Sequence, residues 1–229
     1  MQIKSNIEQI QKEIDQTAAG CGRETGTVSL IAVSKRKPAD MIQAAIDAGH
    51  KDFGENYIQE AMEKIDHLGK DSATWHFIGH LQSNKAKFAV KYFDLIHTVD
   101  KVKLAKEINK QAAKIDKTQD ILLQINIAEE ETKSGAKAED VLDLVRKISE
   151  FGNLSLKGLM CMPPFFADPE DARDYFKAVK NISLAIEKEN LPNVSMSHLS
   201  MGMSNDFAVA IEEGATFVRV GTAIFGSRD

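Results

Sequence analysis

The chain has 229 residues, 43% hydrophobic and 28% charged, with a net charge of -5. That is enough apolar material for a full buried core. No stripe of lysine and arginine marks a nucleic-acid surface, no segment approaches a membrane span, and Cys21 and Cys161 form neither a CxxC pair nor a disulfide framework, so a reduced, cytoplasmic protein is expected.

The opening segment, MQIKSNIEQIQKEID, is polar and lacks the apolar core of a signal peptide. Ile3, Ile7, Ile10 and Ile14 recur at helical spacing and predict a helix lying on the body of the protein, ended by the stretch from Gly20 to Gly26. VSLIAVSK (28–35) is a continuous apolar run, the pattern of a strand buried on both faces. PADMIQAAIDAG (38–49) then places Pro38 at a helix start and Gly49 at its stop. HKDFG is a short second strand, and Ile58, Ala61, Met62 and Ile65 mark the next helix. TWHFIG is a third strand with a helix through Phe88 and Val90, and DLIHTV is a fourth, with Leu104, Ile108, Ala112 and Ile115 striping its helix. DILLQINI is a fifth, followed by a helix striped by Val141, Leu144, Val145 and Ile148. LSLKGLMCM is a sixth strand, and Tyr175, Phe176, Val179, Ile182 and Ile186 mark a longer helix. SMSHLS reads as a weak seventh strand before a short helix at Phe207 to Ile211, and ATFVRVGTAIFG supplies the eighth.

Eight strand–helix units with short links predict a parallel sheet, and at this length its natural closure is a single (β/α)₈ TIM barrel, residues 1–229, with an extra N-terminal helix. An open doubly wound sheet is the rival, but SKRKP is not a Gly-rich dinucleotide loop.

Barrel sites lie in the loops that follow the strands. Those loops hold Ser34 and Lys35; Gly54 to Tyr57; Gly79 to Asn84; Asn126 and the Glu129–Gly135 loop; Met160 and Met162; Ser200 to Asp206; and Gly221 with Thr222. The seventh loop, SMGMSND, runs straight into a helix, so its glycine, its hydroxyls and the first-turn amides can receive a phosphate; Gly221 and Thr222 offer the same from the eighth. Equally, Ser204 or Asp206 can simply cap that helix. Lys35 ends an apolar strand, where partial desolvation makes an amine a better nucleophile towards an aldehyde; the plain alternative is a solvated loop with Arg36 and Lys37. Arg219 sits inside a strand and needs a partner, either a core carboxylate or a ligand. Asn56 reads as well as a turn residue, and Met160 as a core filler. His76, His80, His97 and His198 show no HxH or HExxH spacing, so no metal site is expected.

The strings AVSKRKP, FGENYIQE, WHFIGHLQSNK, IHTVD, KSG, GLMCM, LSMGMSND and VRVGTAIFG together resemble, in order and spacing, the pyridoxal-phosphate homeostasis proteins. The resemblance implies a barrel like the N-terminal domain of alanine racemase. It implies pyridoxal 5'-phosphate held as a Schiff base on Lys35, with Ser200, Gly202, Ser204, Gly221 and Thr222 around the phosphate. Arg219 would then face the pyridine nitrogen, and Asn56 and Met160 would line the ring. Met201 stands where leucine is common, which keeps an apolar side chain.

An arginine at the ring nitrogen disfavours its protonation and weakens the cofactor as an electron sink. Alanine racemase also places an arginine there, so the stronger expectation comes from missing parts. The chain ends soon after Gly221, without the racemase's second β domain, which supports dimerisation; the opposite base comes from the racemase's partner subunit. A monomeric cofactor carrier that stores, buffers or delivers pyridoxal phosphate, with PLP-dependent apoenzymes as receivers, is therefore expected rather than an enzyme. A PLP-dependent racemase and a Schiff-base aldolase are the rivals.

Overall fold

The computed structural model describes residues 2–128, 130 and 134–226. Of the predicted Glu129–Gly135 loop, Glu129 and residues 131–133 lie outside the described residues. Eight parallel strands, β1 to β8, close into a barrel in chain order, with β8 pairing back to β1. They are β1 Ser29–Val33, β2 Asp52–Glu55, β3 Thr74–Phe77, β4 Leu95–Val99, β5 Gln119–Ile125, β6 Leu154–Cys161, β7 Val194–Met203 and β8 Phe217–Val220. The helices are α1 Gln2–Gly20, α2 Ala39–Asp47, α3 Ile58–Leu68, α4 Ala86–Tyr92, α5 Val102–Ala113, α6 Val141–Ser149, α7 Arg173–Lys188, α8 Phe207–Glu212 and α9 Thr222–Phe225. No helix among the described residues is long and apolar enough to cross a membrane.

Two apolar populations hold the barrel. The larger one lies between the sheet and the helix ring, where Ile42, Ile65, Ile108, Val145 and Phe176 pack on the outward residues of the strands. The smaller one, Ile31, Leu95, Leu122, Met160 and Phe217, forms a separate cluster contributed by strands alone. This division follows from the two-residue alternation of a strand, which sends successive side chains to opposite faces.

The extra helix α1 buries Ile7, Ile10, Ile14 and Ala18 against α2, α8 and α9, and so covers the seam where β8 meets β1. Each buried isoleucine contributes about 1.5–3 kcal/mol. The Asn6 side-chain amide donates to Ile224 O at 2.8 Å, and Arg23 Nη1 donates to Ile211 O and Ala215 O, each at 2.8 Å.

Two details depart from the sequence reading. Ile115 falls beyond the end of α5 and is 54% exposed, because the helix stops at Ala113. SMSHLS is not a marginal strand: β7 runs ten residues and carries four consecutive buried ones, Leu199 to Gly202. Its polar residues disguise it because Ser200 is buried through hydrogen bonds rather than apolar contact.

The β6–β7 pairing slips at Gly158, whose φ of 153° and position against His198 leave no room for a side chain: a Cβ there would stand 1.8 Å from the His198 carbonyl oxygen. Gly158→Ala is expected to cost roughly 3 kcal/mol or more by forcing the two strands apart, read as a fall in the urea midpoint. Unchanged stability would show that the register there is not fixed by this contact.

Candidate functional site

At the mouth of the barrel, a cavity of about 150 Å³ is lined by Val33, Lys35, Asn56, Ile78, Met162, Met203, Ser204, Arg219, Gly221 and Thr222. Lys35 and Arg219 are the charged side chains among them, Lys35 from the loop after β1 and Arg219 from the adjacent strand β8. A second space of about 170 Å³ shares Asn56, Ile78 and Met162 with it and adds His80, Thr98 and Gln124. A larger concavity, about 690 Å³, lies elsewhere, an open groove along α1 beside Gly49 and His50. Its walls carry scattered surface charges rather than convergent buried groups, so the barrel mouth is the chemically organised site.

The loop that carries Lys35 is pinned on both sides. Before it, Ser34 is buried, its N–H donates to Gly54 O at 3.0 Å, and its hydroxyl donates to Glu55 Oε1 at 2.7 Å. Lys64, buried on α3, donates to Ser34 O and to Glu55 Oε1, both at 2.8 Å, and to Glu60 Oε1 at 2.5 Å. After Lys35, the Arg36 N–H donates to the same Glu60 oxygen, with Arg36 held at φ 59° and its guanidinium 5.6 Å from the Tyr57 ring centre. A side-chain network thus fixes the backbone on either side of the lysine, which limits where the amine can reach. Glu55 is fully buried, and its Oε2 has no hydrogen-bond partner among the described residues. Burial raises its carboxyl above the usual range, opposed by the Lys64 ammonium and by hydrogen bonds from Lys64 and Ser34.

Across the mouth, Arg219 is buried in β8. Its Nη1 donates to Ser200 Oγ at 2.8 Å and its Nη2 to Cys161 O at 2.9 Å. The partner is therefore not a carboxylate, the plain alternative for a charged strand residue. Burial lowers the arginine's pKa, but a guanidinium remains a donor only. Burial also pushes the adjacent Cys161 thiol up to about 12, so it is inert.

Two turns close the remaining side. Asp206 occupies the N-cap position of α8, yet its carboxylate accepts the Met203 N–H at 2.6 Å instead of capping the helix. Ser204 makes no cap either and lines the cavity, while the Asn205 side-chain amide donates to Phe166 O at 3.1 Å. In the eighth loop the first hydrogen bond of α9 comes from the Ile224 N–H to Gly221 O at 2.9 Å, so the Thr222 and Ala223 amides precede it. Gly221 itself lies close to β1: a Cβ would stand 3.2 Å from Val33 O. The Asn56 Oδ1 is buried without a partner among the described residues. An amine, a fixed guanidinium, an unmet amide oxygen and two turns rich in hydroxyls and amides suit a small anionic ligand with one polar edge.

Of the nine positions implied by the resemblance, six line this cavity: Lys35, Asn56, Ser204, Arg219, Gly221 and Thr222. Met160, Ser200 and Gly202 do not. Met160 belongs to the inner apolar cluster; Met162, two residues on and on the same face, reaches the mouth about 6.6 Å higher. Ser200 lies beneath Arg219 and touches its guanidinium. Gly202, at φ 90°, turns its hydrogen towards α8, where a Cβ would meet Ala210 Cβ at 2.7 Å. Lys64 and Glu60 were missed, although a lysine amid the apolar stripe of α3 is a readable signal. No three His, Cys, Asp or Glu side chains among the described residues cluster to hold a metal.

The family model described as alanine racemase, N-terminal domain, matches residues 2–229. This chain belongs to that family. It is 42% identical over 233 residues to a Pasteurella multocida relative named pyridoxal phosphate homeostasis protein, covering 100% of this chain and 99% of the other. An Aquifex aeolicus relative of the same name is 41% identical over 222 residues, covering 97% and 95%. Among solved structures, PipY of Synechococcus elongatus PCC7942, described with PLP bound, aligns with a TM-score of 0.81 at 35% identity, covering 93% of this chain and 100% of that one. The barrel is thus a fold that this chain shares with that structure.

Lys64→Met removes the cation beside buried Glu55 and is expected to cost about 3–5 kcal/mol at pH 7. A carboxyl raised in the folded state binds its proton more readily folded than unfolded, so its destabilisation grows as pH rises from about 4.3. Without Lys64 the Glu55 shift widens. The deficit of the variant, from urea unfolding at several pH values, should therefore shrink towards pH 4.5; a pH-independent deficit would count against the clamp.

Proposed function

We propose that this protein binds pyridoxal 5'-phosphate as a Schiff base on Lys35 and serves intracellular homeostasis of that cofactor by storing, buffering or delivering it, without efficient catalysis. The observation that carries the reading is the single cavity where Lys35, Arg219 and the turns at Ser204 and Gly221–Thr222 meet. The name shared by full-length relatives and the PLP-bound PipY structure support the same cofactor. The two free cysteines suit a reducing compartment.

The residues present fit the group. Lys35 would hold the aldehyde carbon, the amides and hydroxyls of the seventh and eighth loops would receive the phosphate, and Arg219 would donate to the ring nitrogen. Val33, Ile78 and Met162 would flank the ring. The cofactor supplies an electrophilic aldehyde and an electron sink. The protein's own contribution is binding and orientation. Among the described residues that line the cavity, Lys35 and Arg219 are the titratable ones, so the lining itself supplies no carboxylate or imidazole to exchange a substrate proton. Arg219 keeps its own protons and so gives the ring nitrogen a hydrogen bond rather than a proton. Both features favour a carrier over a racemase. PLP-dependent apoenzymes are the receivers this reading implies.

Borohydride reduction of the PLP-loaded protein, then digestion and mass spectrometry, should locate the adduct on the peptide containing Lys35, and Lys35→Ala should abolish both adduct and absorbance band. An adduct on another lysine overturns the site. Rapid exchange of an amino acid's Cα proton in deuterated water, lost in Lys35→Ala, would replace the carrier reading with a racemase-type enzyme.

A further inference from the structure

Beneath Arg219 a line of hydrogen bonds descends through the barrel. Arg219 Nη1 donates to Ser200 Oγ at 2.8 Å; Ser200 Oγ lies 2.9 Å from His97 Nδ1; His97 Nε2 lies 3.0 Å from His76 Nδ1; and His76 Nε2 lies 3.0 Å from Asp52 Oδ1. The groups come from five strand positions: Arg219 on β8, Ser200 on β7, His97 on β4, His76 on β3 and Asp52 at the first residue of β2. His76, His97, Ser200 and Arg219 are buried; the Asp52 side chain is 31% exposed, at the opposite end of the barrel from the mouth.

We propose that Asp52, His76, His97 and Ser200 form a directional hydrogen-bond column that positions Arg219 and tunes its donor strength towards the cavity. The role rests on the reading above, in which Arg219 faces the cofactor's ring nitrogen.

The direction follows from which atoms can donate. A guanidinium only donates, so Ser200 Oγ is an acceptor at that end; a carboxylate only accepts, so His76 Nε2 carries a proton at the other. With both imidazoles neutral, His76 Nδ1 is bare and takes the His97 Nε2–H. His97 Nδ1 is then bare as well and takes the Ser200 hydroxyl proton. The carboxylate end therefore fixes both tautomers, the guanidinium end is compatible with them, and every donor finds one acceptor. Protonating His76 on both nitrogens turns the His76–His97 bond round and leaves the serine hydroxyl proton with no acceptor among these partners.

The surroundings favour a neutral His97. The Phe217 ring packs against His76, His97 and His198, with centroids 5.4, 5.8 and 4.5 Å away. Burial, with His76, Arg219 and His198 nearby, holds the His97 pKa well below the ordinary histidine value. Among the described residues, the other charged or titratable groups facing the column are Cys161 and Asp206 near Arg219, and His50, whose Nε2 lies 2.9 Å from Asp52 O. In a chain aligned from cation to anion each bond strengthens the next. The Asp52 carboxylate thereby makes Ser200 a better acceptor and partly neutralises Arg219. Removing that charge leaves a barer guanidinium facing the cavity, which disfavours positive charge on anything bound beside it.

The test has two parts. First, long-range proton–nitrogen correlation NMR on the ligand-free protein near pH 7 should show His76 and His97 both protonated on Nε2 alone. A proton on Nδ1 of either, or a doubly protonated ring, overturns the column. Second, Asp52→Asn, which keeps an acceptor oxygen but not the charge, should move the pH midpoint of the lysine-bound absorbance band of the PLP-loaded protein to lower pH. Ser200→Ala, which cuts the column at Arg219, should move it the same way. An unmoved midpoint in both variants, with the wild-type tautomers as stated, overturns the tuning role. A band that is absent, or that survives Lys35→Ala, overturns the cofactor reading and the role built on it, and leaves the NMR result to judge the column alone.

Discussion

A guanidinium sealed inside a barrel is the constraint around which the upper half of this protein is built. An unpartnered buried charge is unaffordable, and a paired one is no better for stability than apolar packing. Arg219 therefore imposes requirements on three other strands. β6 must offer the Cys161 carbonyl, β7 must bring Ser200 beneath the guanidinium, and β1 must leave the mouth open beside it. The cluster formed by Ile31, Leu95, Leu122, Met160 and Phe217 could have continued upward as an ordinary apolar layer. The fold instead accepts a polar inclusion, which makes binding at the mouth the more economical explanation of its position.

Lys35 and Arg219 also set the electrostatics of the mouth. The chain as a whole carries a net charge of -5, yet the charged side chains lining the cavity are both cationic. An anionic ligand is drawn to that local field rather than to the molecule's average charge. The two cations are held by different means. Arg219 is immobilised by its own hydrogen bonds, whereas Lys35 is located through its neighbours, Ser34 and Arg36, which the Glu55–Lys64–Glu60 network grips. Holding the backbone on either side of Lys35 limits where its amine can reach.

Much of this was legible in the sequence. The apolar runs and helical stripes recover all eight strands and the order of the helices, since barrel strands are covered on both faces and read as continuous hydrophobic segments. Where a strand buries polar atoms, the signal fades, as in β7. Lys35 and the loops at Ser204 and Gly221–Thr222 stood among the candidates because strand ends are where barrels place chemistry, and Arg219 because a charge inside a strand needs a partner; the resemblance, not the spacing, implied their roles. Depth along a strand was not visible: Met160 and Met162 share a face, and only the closure of the barrel decides which one meets the mouth. Pairings across distant segments were also hidden. Nothing in the spacing of Asp52, His76, His97 and Ser200 announces that they form one line, because they come from four different strands and meet only after the sheet has closed.

The clamp and the column share a physical logic. Each buries polar groups whose joint replacement by well-packed apolar residues need not cost stability, although removing one partner alone does, and Glu55 even leaves one oxygen unmet among the described residues. Such networks are retained where geometry matters more than free energy, because a hydrogen bond fixes direction as well as distance and an apolar contact does not. The outer core, from Ile14 to Phe176, needs only volume and fit. The inner polar set needs particular atoms at particular angles. In a barrel the strands supply both at once, one face to each, so stability and binding are carried by alternate residues of the same segments. That separation lets the mouth hold two cations close together without weakening the wall behind them.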